Sequence, residues 1–284
     1  MYGYVRIRFG EKITDRTILE DMMKKILSLI LVAAMLICGA VALSACNNGN
    51  ELVMATNATF PPYESVKNGK YVGIDIEIAQ AIADKLGMTL RIENTEFDSI
   101  IGGVQTGKYD MGMAGMTVTP ERQENVDFSK TYATGVQVFI VREDATYTCY
   151  EDFLNAEGTA TLDDVKIGVQ QGTTGDIYAS DTVAKWGFGE DHVIKYKNGP
   201  DAVAALLQGK VEAVIIDNAP AEAYVAANAG LKILEAAYAE EDYAICVKKG
   251  NTELLNKINT ALDERIADGT VAAIIEKYIP SDGE

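Results

Sequence analysis

Short apolar runs alternate with segments of helical period along most of this chain, and this alternation constrains the fold more than any other feature. In the clearest helical segment, 76–86, apolar residues recur at helical spacing, with Asp75 as a candidate N-cap and Gly87 as a stop. Further helices are expected at 97–106, 174–186, 201–208, 253–267 and 271–278, and strands at 52–56, 90–92, 109–114, 165–169, 193–196 and 212–216. This alternation predicts βαβ units and mostly parallel sheets, an α/β fold.

An internal echo indicates two similar lobes. Residues 100–110 and 203–212 both have the order helix, glycine, lysine, strand, and Gly107 and Gly209 suit the left-handed position just past a helix end. Such joints are common, but the matching Gln, Gly-Lys and acidic residues favour a repeat. Each echoed strand runs into a polar loop, and ligands of open α/β sheets bind beyond the carboxyl ends of strands. Two such edges facing each other would form a cleft.

Two long β-rich segments, 131–141 and 238–248, are predicted to connect the lobes. On this interpretation lobe 1 comprises residues 52–134 and 243–284, because the C-terminal helices return to it. Lobe 2, residues 135–242, is then an insertion.

The N-terminal region has the order of a secretory signal. The basic start Met23-Lys24-Lys25 precedes a nearly uncharged apolar run, and Leu43-Ser44-Ala45-Cys46 resembles the bacterial lipobox, in which the cysteine sulfur takes a diacylglycerol. We predict an extension outside the natural protein at 1–22, a lipoprotein signal peptide at 23–45 and a tether at 46–51. An uncleaved membrane helix is the alternative, since the run of 18 residues just suffices to span a bilayer. Both interpretations place the folded body outside the cytoplasm, tethered to the membrane.

Charge and cysteine content exclude several function classes. The 239 residues from Cys46 onward carry 19 basic and 38 acidic side chains, whereas nucleic-acid binders need a basic face. No His/Cys cluster has metal-ligand spacing, so neither a metal nor a cofactor is expected. The single His192 is predicted to be a surface residue and not part of a catalytic triad. Cys149, in a predicted surface loop or short helix at 146–161, could pair with Cys246 outside the cytoplasm; the sequence leaves this open.

Two motifs could hold an anion. Gly115 lets the backbone approach a ligand, Thr117 offers a hydroxyl, and Arg122 offers a planar fork that matches a carboxylate. Thr173 and Thr174 follow a glycine in a turn predicted to open a helix, where free N–H groups favour an anion. The Gly-Lys-Ser/Thr ending of a phosphate-binding P-loop is absent. Helix capping is the alternative role of both motifs.

A carboxylate and two aromatic rings complete the candidate site. Asp217 follows an apolar strand directly, and a buried carboxylate needs a cation or donors. A ligand ammonium would serve, or Asp217 could cap the next helix. Phe60 and Phe97 could enclose an aliphatic side chain or face a cation, or they could pack in the core. An arginine fork, hydroxyl and N–H donors, a carboxylate and aromatic walls together match the parts of an α-amino acid.

These motifs resemble those of the substrate-binding proteins of ABC transporters for polar amino acids, the glutamine-, histidine- and lysine/arginine/ornithine-binding group (solute-binding protein family 3). The resemblance covers residues 52–279. It is carried by Phe60-Pro-Pro-Tyr-Glu64, Gly73-Ile-Asp75-Ile-Glu77-Ile-Ala79, Gly115-Met-Thr-Val-Thr-Pro-Glu-Arg122 with Val126-Asp-Phe-Ser129, Gly168-Val-Gln-Gln-Gly-Thr-Thr174 and Asp217-Asn-Ala-Pro220. It implies a two-lobed, type II periplasmic-binding-protein-like fold, with each lobe a mostly parallel sheet flanked by helices and two hinge strands between them.

The resemblance also implies a role for each candidate residue. The ligand α-carboxylate is expected at Gly115, Thr117, Arg122, Thr173 and Thr174. The α-ammonium is expected at Asp217 and Gly115. The side-chain pocket is expected to comprise Asn57, Phe60, Glu64, Phe97, Ala114 and Gln170. Several relatives that bind glutamine or basic side chains carry Asp where this chain has Asn57, which argues for a polar ligand that need not be cationic.

We therefore expect extracytoplasmic binding of a polar L-amino acid by hinge closure and delivery to ABC permease subunits, by a monomer anchored through Cys46. One rival is an enzyme similar to cyclohexadienyl or arogenate dehydratases, for which Glu64 is the candidate general acid. Another is a ligand-sensing domain.

Overall fold

The computed structural model describes residues 51–234 and 236–280. In these residues the β-strands, β1 to β12 in chain order, span Glu51–Thr56, Thr59–Phe60, Glu64–Lys67, Lys70–Val72, Thr89–Asn94, Met111–Gly112, Val126–Arg142, Ile167–Gln170, Val193–Tyr196, Ala213–Asp217, Leu231–Ile233 and Ala239–Lys248. The α-helices, α1 to α8, span Ile74–Leu86, Phe97–Thr106, Pro120–Gln123, Thr174–Ser180, Gly199–Leu207, Asn218–Ala227, Thr252–Ala267 and Thr270–Tyr278. The predictions for 1–22, 23–45 and 46–50, including Cys46, lie outside the described residues. No helix within the described ranges has the length and hydropathy needed to span a membrane.

Two long strands lie in the middle of the main sheet, whose strand order is β5-β1-β6-β12-β7-β10-β8-β9. Strand β11 also pairs with β7. The long strands β7 and β12 are antiparallel neighbours. On one side β6, β1 and β5 run parallel, and on the other β10, β8 and β9 do so. We call the first group half A, and it includes α1, α2 and the small sheet β2-β3-β4 that packs on α1. The second group, with α4, α5 and α6, is half B. Two parallel groups that share two long strands form the two-lobed α/β fold that the sequence predicts.

Several predicted elements begin and end at the predicted residues. Helix α2 and strand β9 have the predicted bounds. Gly107 and Gly209 follow α2 and α5 in the left-handed conformation, with φ of 75° and 68°. The internal echo therefore corresponds to two similar helix-to-strand joints, one in each half.

Other predicted bounds are wrong, and the causes lie in the tertiary structure. The helix expected at 174–186 ends at Ser180, because Asp181 turns extended with ψ of 172°. The strand expected at 109–114 is reduced to Met111–Gly112. Asp75 does not cap α1: Gly73 is the N-cap residue, and the Asp75 carboxylate instead accepts a hydrogen bond from the Gly115 N–H at 2.8 Å.

The segment 146–161, predicted to be a surface loop or a short helix, contains a short helix with buried side chains. This helix is a 3₁₀ turn, Tyr150–Phe153, whose two aromatic rings are buried. Phe153 lies 5.5 Å from Phe139 between ring centroids, and Phe188 lies 6.0 Å from Phe139. These rings form a second apolar core under half B, so the segment contributes to packing.

Cys149, Cys246 and His192 lie outside the ligand cavity, among packing and backbone contacts. Cys149 and Cys246 are free thiols, so the disulfide that the sequence left open is not formed. Cys246 lies in the core of half A, and burial raises its pKa to about 12. His192 is half-buried, with Nδ1 2.9 Å from the Val165 carbonyl oxygen.

Candidate functional site

One cavity brings together every residue that the sequence analysis assigned to ligand binding. From half A and the segments after it the lining comprises Asn57, Phe60, Glu64, Phe97, Ala114, Gly115, Thr117 and Arg122. From half B it comprises Gln170, Thr173, Thr174 and Asp217. Strands β1, β6, β8 and β10 end at this cavity, which is where open α/β sheets bind ligands.

Arg122 is a buried cation fixed by contacts with both halves. Thr119 caps the short helix α3 by accepting a hydrogen bond from the Arg122 N–H at 3.2 Å. The guanidinium donates to the Thr117 carbonyl at 2.7 Å and to the Gly172 carbonyl of half B at 3.1 Å. Its Cζ lies 5.3 Å from the centroid of the Phe97 ring. Burial lowers the Arg122 pKa, yet an arginine stays charged, so the cavity holds a preorganised cation with unused N–H groups.

Gly115 lies where a side chain would not fit. Its φ is +51°, and an added Cβ would lie 2.8 Å from Cε1 of Phe60. Its N–H already donates to Asp75, a residue that the sequence analysis used only as a helix cap. Burial raises the pKa of Asp75 to about 6, although the hydrogen bond from Gly115 acts in the opposite direction. The Asp75 carboxylate thus holds the Gly115 turn in place from behind the cavity.

The Gly-Thr-Thr turn combines capping with a position on the cavity wall. The Thr173 hydroxyl donates to the Gln170 carbonyl at 2.8 Å and accepts from the Asp176 N–H at 3.2 Å, so Thr173 caps α4. The Thr174 hydroxyl lies 3.5 Å from Nε2 of Gln137. Both threonines still line the cavity, so the capping bonds of Thr173 do not exclude the anion binding that the sequence predicts.

Asp217 is a buried carboxylate that faces hydrogen-bond donors. It ends β10 and occupies the N-cap position of α6, but its side chain does not cap that helix. One oxygen accepts from Nε2 of Gln137 at 2.9 Å, and the other accepts from the Tyr243 hydroxyl. Burial and the neighbouring Glu241 carboxylate raise the pKa of Asp217 to about 7. Among the described residues Asp217 forms no ion pair, so a ligand ammonium would be its first full counter-charge.

The polar residues of the predicted side-chain pocket differ in how many hydrogen bonds they already form. Asn57 donates to the Thr95 carbonyl at 2.8 Å and accepts from Gln170 of half B at 3.0 Å. Glu64 is 1% exposed, and burial together with the nearby Asp75 raises its pKa well above the usual range. Asn57 therefore joins the two halves, while Glu64 presents a buried acid to the cavity.

Further hydrogen bonds connect the two halves around the cavity. Besides Arg122 to Gly172 and Gln170 to Asn57, the contacts between the halves include Gln171 to Asp98 at 2.9 Å and the Tyr224 hydroxyl to the Thr59 carbonyl. Bonds of this kind cannot persist if the halves separate, so the structure is a closed conformation.

The sequence model of the bacterial extracellular solute-binding proteins, family 3, matches residues 52–281. The chain belongs to this family. The arginine-binding extracellular protein ArtP of Bacillus subtilis is 31% identical over 269 residues, which are 90% of this chain and 98% of ArtP.

Solved structures agree with this family membership. An ancestral arginine-binding protein bound to glutamine has a TM-score of 0.73 at 40% identity, covering 82% of this chain and 99% of its own. An ancestral arginine-binding protein bound to arginine has a TM-score of 0.71 at 40% identity, covering 81% and 98%. The expected family and two-lobed fold are confirmed.

Three buried residues beneath the cavity of this solute-binding protein were missed in the sequence analysis. Gln137 on β7 donates through Nε2 to Asp217 and, at 3.0 Å, to Glu241 on β12. Glu241 also accepts from the Thr117 hydroxyl at 2.9 Å. Tyr243 donates to Asp217. A usable signal was present, because alternation along β12 places Glu241 on the same buried face as Tyr243.

Proposed function

We propose that this solute-binding protein captures an L-amino acid with a polar side chain and delivers it to the permease of an ABC transporter. Arg122, with Thr117, Thr173 and Thr174, would hold the α-carboxylate. Asp217 would hold the α-ammonium together with the Gly115 carbonyl, because the Gly115 N–H is occupied by Asp75. Asn57, Phe60, Glu64, Phe97, Ala114 and Gln170 would surround the side chain.

One observation carries this proposal: Arg122 and Asp217 line the same closed cavity, and among the described residues neither forms an ion pair. Each is buried at a cost that carbonyl, amide and hydroxyl partners offset only in part. A zwitterion supplies both missing charges at once. The names of the similar proteins support arginine and glutamine as the first ligands to test.

Binding would act by hinge closure about β7 and β12. The proposed lobes, 52–134 with 243–284 and 135–242, divide β12 one residue before the register shift between Tyr243 and Ala244. Moving from mostly open to mostly closed takes about 5 kcal/mol of differential affinity. Contacts made by one ligand with Arg122 and with Asp217 would supply it only in the closed form.

A thermal-shift screen of the twenty amino acids tests this function, since a ligand that binds only the folded state raises the melting temperature. We expect a polar amino acid, with arginine and glutamine foremost, to give the largest shift. Incubation with prephenate and arogenate tests the dehydratase alternative. An aromatic product without any amino-acid shift would overturn the proposed function.

We also propose that the folded body is anchored outside the cytoplasm by a lipid on Cys46. A Cys46→Ser variant should leave the membrane fraction, while the wild-type protein stays there and partitions into detergent, as followed by immunoblot. Recovery of both proteins in the same soluble fraction would contradict the anchor.

A further inference from the structure

Glu64 is the most deeply buried acid on the cavity wall. It lies on β3, is 1% exposed, and its Oε2 has no hydrogen-bond partner among the described residues. Of the twelve residues lining the cavity, only Arg122 is a cation, and that guanidinium is bound to Thr117 and Gly172. Glu64 is therefore a buried carboxyl group with no cation assigned to it.

The groups that face Glu64 from the surrounding elements increase its need for a proton or a cation. They are Asp75 on α1, Tyr132 on β7, Asp217 at the end of β10 and Tyr224 on α6, besides its neighbour Tyr63. Each of these is an acid or a phenol, so none supplies a positive charge to neutralise an anion at Glu64.

The nearby Asp75 determines that Glu64 needs a proton when no cation is present. One Asp75 oxygen accepts from the Gly115 N–H, and the Asp75 carboxyl group also lies within hydrogen-bonding reach of the Glu64 carboxyl group and the Tyr132 hydroxyl. Two ionised carboxylates can only accept hydrogen bonds, so they cannot bond to each other unless one of them carries a proton. Because Asp75 is held by Gly115, the shared proton belongs mainly to Glu64.

We propose that Glu64 discriminates between ligand side chains through its own protonation state. With a proton, Glu64 is a neutral donor that suits an uncharged amide, as in glutamine. Without one, it is an anion that suits a guanidinium or ammonium, as in arginine. This inference rests on the proposed function and adds to it that the preferred ligand changes with pH.

The sign of the pH dependence follows from linkage. Arginine requires ionised Glu64, so below the pKa of Glu64 its binding releases a proton, and its affinity rises by up to about tenfold per pH unit. Glutamine requires no such release. Both ligands present the same α-carboxylate and α-ammonium to Arg122 and Asp217. Any titration of Asp217 therefore cancels in the ratio of the arginine and glutamine affinities.

Calorimetry of arginine and glutamine binding from pH 5 to pH 8 tests the proposal, on the wild-type protein, Glu64→Gln and Glu157→Gln. Glu157 lies in an exposed loop, so its variant controls for the loss of one acid. We expect the arginine-to-glutamine affinity ratio to rise with pH, approaching tenfold per unit over part of this range, in the wild type and in Glu157→Gln. In Glu64→Gln the ratio should be flat, with arginine weakened more than glutamine at pH 8.

Buffers of different ionisation enthalpy provide a second readout, since arginine should release more protons than glutamine. A flat ratio in the wild type, the same slope in Glu64→Gln, or binding of only one of the two ligands at every pH would overturn the role of Glu64 and leave the proposed function standing. Failure of both ligands to bind at any pH would overturn this inference, and it would overturn the proposed function as well if no polar amino acid raises the melting temperature.

Discussion

Arg122 shows how a single residue is prepared for a ligand before the ligand arrives. Its guanidinium is held by two carbonyls from opposite sides of the cavity and lies against the Phe97 ring. Carbonyls satisfy N–H groups but do not neutralise a charge, and Glu241 is the anion with the strongest effect on the Arg122 pKa. A ligand carboxylate would therefore meet a desolvated cation whose orientation is already fixed.

Two substitutions of Arg122 should distinguish the contribution of its charge to ligand binding from that of its planar geometry. Arg122→Ala should weaken amino-acid binding by about 2–5 kcal/mol, because it leaves a buried ligand carboxylate without its partner. Arg122→Lys should fall between wild type and Ala, since an ammonium keeps the charge but loses the planar fork. Calorimetry measures the affinities, and Arg91→Ala, on the exposed edge strand β5, is the control that should change nothing. Unchanged affinity in Arg122→Ala would remove this residue from the site.

At the level of elements, β7 and β12 link the two halves and also carry residues beneath the cavity. Gln137 on β7 and Glu241 and Tyr243 on β12 lie on buried faces of the strands that join the two halves. Gly135 on β7 pairs with Glu241, and an added Cβ there would collide with the Tyr243 hydroxyl and approach Oδ1 of Asp217. The close approach of these strands therefore depends on a glycine in a strand interior.

Gly135→Ala should consequently disturb stability and binding together. We expect a loss of about 1–3 kcal/mol in the free energy of unfolding, the usual cost of overpacking, and weaker amino-acid binding because Asp217 must shift. Gly102→Ala is the matched control: it lies in α2 with open space around its Cα, and should stabilise the protein by up to about 1 kcal/mol. Denaturant unfolding with calorimetry measures both effects. An equal and small effect of the two substitutions would show that the contact at Gly135 is unimportant.

At the level of the whole molecule, the cavity region buries more acids than cations. Glu64, Asp75, Asp217 and Glu241 are all buried around the single cation Arg122. Burial raises the pKa of Asp75 to about 6 and that of Asp217 to about 7. The ligand-free folded state therefore keeps protons that the unfolded chain loses near pH 4.

Ligand-free stability should accordingly fall as pH rises from 5 to about 7. A raised folded-state pKa means that its stabilising contribution is complete below the unfolded pKa and is lost as pH rises through the folded one, by about 1.4 kcal/mol per pH unit for each proton held. Acids outside the cavity such as Asp127 and Asp152, whose pKa values backbone N–H donors lower, are ionised throughout this range. Melting temperatures across pH 5–8 measure the trend. Asp217→Asn should flatten it, and an equally steep fall in that variant would assign the effect to other groups.

Much of the fold could be predicted because its signals are local. A glycine after a helix, an apolar run and a helical period act within a few residues, so α2, β9 and the stops at Gly107 and Gly209 were found from the sequence. The short bounds of α4 and β6 and the burial of the aromatic rings of the 3₁₀ turn Tyr150–Phe153 were not. Those features depend on neighbours that are distant in the chain.

The sequence by itself, through its motifs and the family resemblance that they carry, determined which residues reach the cavity, and all twelve of the inferred residues line it. Only the tertiary structure decided what lies behind the cavity wall. Asp75 supports Gly115 instead of capping its helix, and Gln137 and Glu241 meet from two different strands. The physical reason is that a buried polar group needs a hydrogen-bond partner, and the fold can supply that partner from any part of the chain. The partner's position therefore follows no fixed spacing in the sequence.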